Sequence, residues 1–318
     1  MATPYRVIFM GTPSFAVPSL RALIGRPSLC TVDLVVCQPD RRAGRGRRLV
    51  HSPVKTEALA ADIDVFQPVK MKSEETYERL RAVSPDVVVV AAYGRILPQR
   101  LLDLPRFGCL NVHASLLPSY RGASPIARAI ADGQPKTGVT IMHMEAGLDT
   151  GPTYSAASLE LHENETCETL TDTLAETGAQ LLVESLPGIL EGRLQAVPQN
   201  EDEATLAPLL SKEDGRLDFA DGAQLLERRI RAYTPWPGCY AFVGEHRIQF
   251  LGARASESGG EHGKVVAKTA DGFLVGCAVG GLEVTMVKPA GKKAMSATAW
   301  LSGRGIAVGD IFHPYPKG

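Results

Sequence analysis

Residues 86–92 read DVVVVAA, an uninterrupted run of valine and alanine after one aspartate. Such a strand is covered on both faces, because successive side chains point to opposite sides of a sheet. Similar apolar runs recur at 6–10, 32–37, 109–113 and 139–144, and the stretches 15–25, 53–62 and 74–83 between them have helical character. This alternation predicts an α/β domain with a parallel sheet, whose ligands lie beyond the carboxyl ends of the strands.

The sequence changes character near residue 208. Residues 165–190 are typical of one helix, and the polar, proline-containing segment 191–207 has no hydrophobic period, so we interpret it as a linker. Short alternating runs with many glycines follow and predict a small β barrel; they are 247–251, 263–267, 272–277 and 282–287. We therefore expect a first domain at 1–190 and a second at 208–318.

Composition narrows the class of protein. The chain has 318 residues, of which 44% are hydrophobic and 22% charged, enough for two ordinary cores and unlike a disordered chain. No apolar run approaches the roughly 20 residues that span a bilayer, and the N-terminus lacks the features of a signal peptide. The six cysteines form no C-x-x-C pair, which argues against structural zinc and for reduced thiols. We expect a cytoplasmic protein without a metal.

Two polar side chains lie on the strand within CLNVHASLLPSYRGASPI, residues 109–126. Asn111 and His113 share one face, about 6–7 Å apart, because side chains repeat every second residue. Asp149 in the later GLDTG segment could orient the imidazole and stabilise its charged form. Each residue alone is more often structural, but together they are suited to acyl transfer without a covalent intermediate.

Five arginines occur in the eight residues RRAGRGRR, at 41–48. Most charge runs are solvated surface, yet this run is expected at the ligand-binding edge of the sheet, and its glycines allow it to adapt to a ligand. Arginine binds phosphates in bidentate fashion and stacks on bases. Together with a second basic cluster at 288–293, the run favours a long polyanion such as a nucleic acid.

The chain resembles the methionyl-tRNA formyltransferase family in segments that run in order over nearly its whole length. They are FMGTPSFAVPSL (9–20), QPDRRAGRGRRLVHSPVK (38–55), NVHASLLPSYRGASPI (111–126), TGVTIMHMEAGLDTGP (137–152), RAYTPWPGCY (231–240) and KPAGKKAMSA (288–297). The resemblance implies a Rossmann-like domain followed by an OB-like β barrel. It also implies formyl transfer from 10-formyltetrahydrofolate to the α-amino group of methionyl initiator tRNA, for translation initiation, with Asn111, His113 and Asp149 as catalytic residues.

The resemblance also implies two sets of binding residues. Folate contacts are expected from the strand-end segments, namely Tyr93, Gly94, Arg95, Ile96, Leu97, Ser115, Leu116, Leu117, Pro118, Met144 and Glu145. Contacts to tRNA are expected from the basic residues Arg41, Arg42, Arg45, Arg47, Arg48, Lys292 and Lys293. Ser119 and Arg42 depart from the usual family pattern, in which a basic residue and a proline are common, and these changes affect loop detail rather than the reaction.

Other functions share part of this pattern. A formyltransferase acting on glycinamide ribonucleotide would be expected to end near residue 200, and an amino-sugar enzyme would not need the arginine run. A non-catalytic RNA-binding protein would not be expected to retain the three polar residues. A folate-dependent hydrolase stays open at the level of sequence. A self-contained site needs no partner subunit, so we expect a monomer.

Overall fold

The chain divides into two compact units in the computed structural model, which describes residues 3–43, 48–303 and 305–316. Unit 1 comprises Met1–Pro125, Lys136–Glu160 and Thr171–Pro208. Unit 2 comprises Ile126–Pro135, Leu161–Leu170 and Leu209–Gly318. Residues 191–207, the predicted linker, therefore cluster with unit 1, and two short earlier segments cluster with unit 2.

The elements of unit 1 follow the predicted alternation. Its strands are β1 Tyr5–Gly11, β2 Cys30–Val36, β3 Arg41–Ala43, β4 Arg48–Val50, β5 Val65–Phe66, β6 Val87–Ala91, β7 Cys109–His113, β8 Lys136–His143 and β9 Thr153–Glu160. Its helices are α1 Val17–Ile24, α2 Pro53–Ala60, α3 Glu74–Arg81 and α4 Gln99–Leu102. Two further helices, α5 Pro125–Asp132 and α6 Cys167–Leu190, contain residues of both units.

The main sheet of unit 1 has the strand order β5-β2-β1-β6-β7-β8-β9. The first five strands of this order are parallel to one another, which confirms a mostly parallel α/β sheet. The valines of β6 are almost completely buried, as are their neighbours in β1. Both faces of these central strands are covered, as the uninterrupted apolar run predicts.

Strand β8 differs from the expectation of a further parallel strand. It runs antiparallel to β7, with His113 opposite Thr140 and Leu110 opposite His143. The physical reason is the connection, because residues 126–135 cluster with unit 2 instead of forming a crossover helix on the sheet. The chain therefore leaves β8 beside the start of β7, and the turn before β9 must bring Asp149 back toward the end of β7.

Serine caps begin two of the helices that flank the sheet. Ser52 accepts a hydrogen bond from the Lys55 backbone N–H at the start of α2, and Ser73 accepts one from the Thr76 N–H at the start of α3. Each serine satisfies an amide that has no partner within its helix. The helices predicted at 15–25, 53–62 and 74–83 are all confirmed, with ends within about two residues.

Unit 2 is built on one antiparallel sheet. Its strands are β10 Cys239–Val243, β11 His246–Ser256, β12 Val265–Lys268, β13 Phe273–Gly276, β14 Gly281–Pro289, β15 Met295–Ser296 and β16 Phe312–His313, and its own helices are α7 Ala223–Tyr233 and α8 Ala297–Ser302. The order β12-β13-β14-β11-β10-β16 includes all four strands predicted from the sequence, whereas β10 and α7 were not predicted.

The sheet of unit 2 curls until its two ends meet. Val265 donates its backbone N–H to the Asp310 carbonyl at 2.8 Å, and Phe312 donates to the Gly263 carbonyl at 2.7 Å. Phe312 also packs inside the curl, with its ring centroid 5.3 Å from that of Phe250. These bonds join the first strand of the order to the last, which is the closure expected of an OB-like barrel.

Candidate functional site

Asn111, His113 and Asp149 meet at the end of β7. The Asn111 Nδ2 atom lies 3.5 Å from Asp149 Oδ1, and the His113 Nδ1 atom lies 3.7 Å from Asp149 Oδ2. The side chains of His113 and Asp149 are 5% and 15% exposed. The structure thus brings together the three residues that the sequence singled out, and it places them in a sheltered position within unit 1.

The His113 ring is held from both sides. Its Nε2 atom lies 3.0 Å from the Tyr120 carbonyl oxygen. A carbonyl can only accept, so the proton of this contact resides on Nε2. The Nδ1 atom then faces the carboxylate, and protonation there gives an N–H that points at Asp149. The two contacts fix the plane of the ring, and the carboxylate can stabilise an imidazolium that forms during a reaction.

Asp149 is placed by a strained turn. Its φ is 52°, a conformation that residues other than glycine rarely adopt. The Gly122 backbone N–H donates to Asp149 Oδ2 at 2.8 Å, which orients the carboxylate. Any side chain at Gly151 would overlap the His143 carbonyl, and one at Gly147 would overlap Thr150. The glycines of GLDTG are thus needed to fold the turn that presents Asp149.

The segment predicted as a linker contributes to this site. Gln199 donates from Nε2 to the carbonyl oxygens of Asp149 and Gly151, both at 2.7 Å. Arg121 bonds Gln199 and also Glu201. Sequence reasoning missed Gln199, Glu201 and the part that Arg121 plays, since the polar composition of 191–207 carries no period and Arg121 was noted only as a flanking residue.

A cleft of about 510 Å³ opens in unit 1 beside α4 and the turn after β8. Two of the predicted folate residues, Met144 and Glu145, line it. The sequence did not single out the other lining residues, which are Gln99, Leu102, Asp103, His143, Ala146 and Gly147. The cleft mixes apolar and polar side chains, as small-molecule sites do.

The segment after β6 divides into buried and exposed groups. Tyr93 is buried, which raises its pKa to about 12, and its hydroxyl contacts Met71 Sδ at 3.0 Å. Leu97 is also buried, whereas Ile96 is 82% exposed. Arg95 donates to the Val69 carbonyl at 2.6 Å. Tyr93 and Leu97 therefore belong to the core, and Gly94 (φ 74°) supports the turn that exposes Ile96.

The segment Ser115–Pro118 is tied to β8. The Ser115 hydroxyl donates to the Ser119 carbonyl at 2.6 Å, and the Ser115 carbonyl accepts from Thr140 Oγ1 at 2.7 Å. Leu117 donates its N–H to the Thr140 hydroxyl at 3.1 Å, and Leu116 packs near Gly138. These bonds fix the loop after His113, and contact of 115–118 with folate stays a prediction.

The arginine run forms a hairpin in its described part. Arg41 pairs with Val50 and Arg42 with Leu49, which places Arg42 on β3 and Arg48 on β4. The Arg41 guanidinium donates to Gln38 Oε1 at 2.8 Å. The remaining predicted tRNA contacts of this run, Arg45 and Arg47, lie outside the described residues.

A polar network holds the base of this hairpin. Lys55 Nζ lies 2.7 Å from Asp40 Oδ2 and 2.8 Å from Gln67 Oε1, and the Gln67 amide donates to Asp40 Oδ1 at 2.9 Å. The hydrogen bonds from Lys55 and Gln67 lower the pKa of Asp40. Asp40 precedes β3 and Lys55 follows β4, so the network closes the hairpin at its two ends.

The second basic cluster lies in unit 2. Lys292 and Lys293 are exposed in the turn between β14 and β15. On the neighbouring strands, the Arg247 guanidinium lies 4.0 Å from the centre of the Tyr240 ring. This part of unit 2 combines positive charge with an aromatic ring, a pairing suited to phosphates and bases.

Metal-binding clusters and reactive thiols are two further kinds of site to consider in the described part of the chain. No group of three or more His, Cys, Asp or Glu side chains there could hold a metal ion. Burial raises the pKa of the Cys109 and Cys239 thiols to about 12 and those of Cys30 and Cys277 to about 11. These thiols are therefore protonated at neutral pH and act as small apolar side chains.

Among the described helices none is long and apolar enough to cross a membrane.

Comparison with known proteins agrees with this geometry. A formyl transferase domain matches residues 5–186, and a formyl transferase C-terminal domain matches residues 209–305. The chain is 45% identical over 305 residues to the methionyl-tRNA formyltransferase of Myxococcus xanthus, a match that covers 96% of this chain and 97% of the relative. It is also 45% identical to that of Marinobacter nauticus, over 94% of this chain and 96% of the relative.

Solved structures share the fold at low identity. HypX from Aquifex aeolicus in complex with tetrahydrofolic acid superposes with a TM-score of 0.63 at 17% identity, over 96% of this chain and 48% of that chain. An N-formyltransferase from Helicobacter canadensis in complex with folinic acid and dTDP-3-aminofucose gives 0.64 at 16% identity, over 89% and 98%. At these identities the likeness concerns the fold alone.

Proposed function

The chain belongs to the formyl transferase family, and we propose that it transfers the formyl group of 10-formyltetrahydrofolate to the α-amino group of methionyl initiator tRNA. The meeting of Asn111, His113 and Asp149 at one point carries this proposal. It unites an amide donor, an imidazole and a carboxylate without a nucleophile to be acylated. The full-length similarity to methionyl-tRNA formyltransferases supports the choice of acceptor.

The reaction joins the methionyl nitrogen to the formyl carbon and then breaks the bond between that carbon and N10 of the folate. Negative charge gathers on the formyl oxygen in the tetrahedral intermediate. Asn111 donates an N–H to this oxygen, because its amide has two protons and only one points toward Asp149. One such donor lowers the barrier by roughly 3–4 kcal/mol.

His113 transfers the protons of the reaction, and Asp149 stabilises its charged form. The attacking amine must lose a proton, and the departing N10 must gain one. Nε2 is engaged with the Tyr120 carbonyl, whereas Nδ1 lies 3.7 Å from Asp149, which is longer than a hydrogen bond. Nδ1 of the imidazolium is therefore the atom that supplies the proton to N10 and takes one from the amine. The carboxylate stays charged throughout and stabilises the imidazolium, as the Nδ1–Oδ2 approach of 3.7 Å suggests.

The other parts of the chain bind the two substrates in this proposal. The folate occupies the cleft that Met144 and Glu145 line, and the exposed Ile96 is a further predicted contact. The arginine hairpin of unit 1 and Lys292 and Lys293 of unit 2 bind phosphates of the tRNA. All three catalytic side chains come from one chain, so the proposed site needs no partner subunit to be complete.

The test is formylation of charged initiator methionyl-tRNA by the purified protein. Asn111→Ala and Asp149→Ala should each lower kcat by about 10²–10³-fold with folding retained. Asn164→Ala, which changes an exposed asparagine of unit 2, is the control and should leave turnover unchanged. Normal turnover in either catalytic variant would remove that residue from the mechanism.

Alternative acceptors are separated in the same assay. Glycinamide ribonucleotide, uncharged tRNA and elongator methionyl-tRNA are offered in parallel with the charged initiator. Formylation of the small amine alone would reject the tRNA assignment and keep the formyl-transfer site. Release of formate without an acceptor would establish a hydrolase instead.

A further inference from the structure

The segment 199–207 lies along the loop that follows β7, within unit 1. Arg121 donates its N–H to the Thr205 carbonyl at 2.9 Å, and Ala207 donates to the Arg121 carbonyl at 2.7 Å. The Tyr120 N–H bonds Thr205 Oγ1 at 2.8 Å. The same loop supplies the Tyr120 carbonyl to His113 and the Gly122 N–H to Asp149. One pairing of two irregular segments thus supports both catalytic side chains.

Gln199 is the residue of this segment that reaches Asp149. Its Nε2 atom donates to the carbonyls of Asp149 and Gly151, both at 2.7 Å. Its Oε1 atom accepts from Arg121 Nε at 3.1 Å and from Nη2 at 2.9 Å. The guanidinium can only donate, so Oε1 must face Arg121 and Nε2 must face the two carbonyls.

Arg121 is fixed in turn by its burial and its ion pair. The residue is only 4% exposed, and Glu201 receives Nη1 at 2.8 Å and Nη2 at 2.7 Å. A buried guanidinium left without its partner is strongly unfavourable, so the bonds to Glu201 and Gln199 restrain the Arg121 side chain. Arg121 therefore holds Gln199 in a single orientation.

The turn that Gln199 holds needs this support. The backbone of Asp149 is in the left-handed region at φ 52°, which is unfavourable for a residue with a side chain. A bond to the Asp149 carbonyl restrains the backbone of this residue and, with it, the direction in which the carboxylate points. Gln199 bonds this carbonyl and that of Gly151, on both sides of Thr150.

We propose that Gln199 is a positioning residue for formyl transfer, which fixes the backbone of the Asp149 turn so that the carboxylate meets His113 and Asn111. Arg121 orients the Gln199 amide for this task. The inference rests on the proposed function, because it concerns the same reaction. It gives the predicted linker a direct part in the geometry of the site.

The first test is Gln199→Leu, which keeps the bulk and removes all four hydrogen bonds of the amide. We expect kcat to fall about 10²-fold, since a shift of about 1 Å in a catalytic group can cost that much. The KM for 10-formyltetrahydrofolate should stay unchanged, because Gln199 does not line the cleft. Gln195→Leu is the matched control, since its amide also bonds a backbone carbonyl, that of Gly192, and is exposed.

A second variant separates a loss of positioning from a loss of folding. Gln199→Glu keeps an acceptor for Arg121 and so retains the pairing of the buried charge. Its second oxygen faces the carbonyls of Asp149 and Gly151, which repel it. We expect this variant to keep a cooperative urea transition, because the buried charge stays paired, and to lose kcat as Gln199→Leu does. Parental kcat in a folded Gln199→Glu protein would overturn the inference.

A double-mutant cycle separates positioning from a general structural role. If Gln199 acts through the Asp149 carboxylate, Gln199→Leu should have no further effect on kcat in an Asp149→Ala background. Full additivity of the two losses would overturn the inference and leave the proposed function standing. If Asp149→Ala alone keeps normal turnover, the proposed mechanism fails instead, so the two failures are distinguishable.

Discussion

A substitution at Gly122 tests how the loop that follows β7 is held in place. Its φ is 121°, and a Cβ added there would lie 2.7 Å from the Ala207 carbonyl oxygen. Its N–H also donates to Asp149 Oδ2 at 2.8 Å. The substitution Gly122→Ala should therefore perturb the backbone, the pairing with Ala207 and the Asp149 carboxylate together.

The size of the effect follows from these contributions. A residue with a side chain in a sparsely populated φ region costs about 1–3 kcal/mol. Insertion of a methyl group against a fixed backbone oxygen adds about 1–3 kcal/mol, because one of the two segments must move. We expect the free energy of unfolding of unit 1 to fall by about 2–6 kcal/mol. The kcat should fall about 10²-fold as the Asp149 carboxylate shifts.

Gly192→Ala is the matched control for this prediction. Gly192 also has a positive φ, 72°, but nothing lies within 4 Å of an added Cβ. This control should lose only the conformational cost, about 1–2 kcal/mol, and keep its activity. Urea unfolding followed by circular dichroism and single-turnover formylation measure the two effects. Equal unfolding midpoints for the two variants would refute the steric argument, and normal turnover of Gly122→Ala would refute the link to Asp149.

Two further predictions concern the arginine hairpin. Replacing Arg41, Arg42 and Arg45 together by alanine should lower kcat/KM for methionyl-tRNA. It should also reduce the slope of log(kcat/KM) against log salt concentration by about one unit for each phosphate that is no longer bound. An unchanged slope would mean that the run is solvated surface and binds no phosphate. The hydrogen bonds that Asp40 accepts lower its pKa in the folded protein. Its charged form therefore stabilises the fold fully above the pKa of the unfolded chain, about 4. This stabilisation is lost as the pH falls through the lower pKa of the folded protein. Urea midpoints should therefore drop more steeply below about pH 4 for the parent protein than for Asp40→Asn, and parallel curves would contradict the assignment.

The strands and helices of the sheet were predictable because their signals are local. The buried run of β6 and the capped starts of α2 and α3 depend on neighbouring residues only. The direction of β8 was not predictable in this way. It depends on where the connection from β7 goes, and residues 126–135 join unit 2 through contacts with residues far along the chain, such as the Arg128–Asp214 ion pair.

The residues of the candidate site also divide into those with a local sequence signal and those placed by distant contacts. Asn111 and His113 share a face because a strand repeats every two residues, so the sequence predicted their proximity directly. Asp149 was predicted by its motif, and the structure shows why the flanking glycines are needed. Gln199 has no local signal. Its role arises only when two irregular segments pair with each other, which brings Gln199 to Arg121 from 78 residues away in the chain.

The residues proposed for the reaction and the residues proposed for acceptor binding lie in different parts of the chain. In the proposed function the atoms that act on the formyl group lie in unit 1, on one strand and one turn, and none of them belongs to the arginine hairpin or to unit 2. The groups suited to phosphates lie in the arginine hairpin and on unit 2, where they can change without disturbing Asn111 or His113. Under this division a new acceptor requires new binding surfaces and leaves Asn111, His113 and Asp149 unchanged, which is how one fold can host several functions.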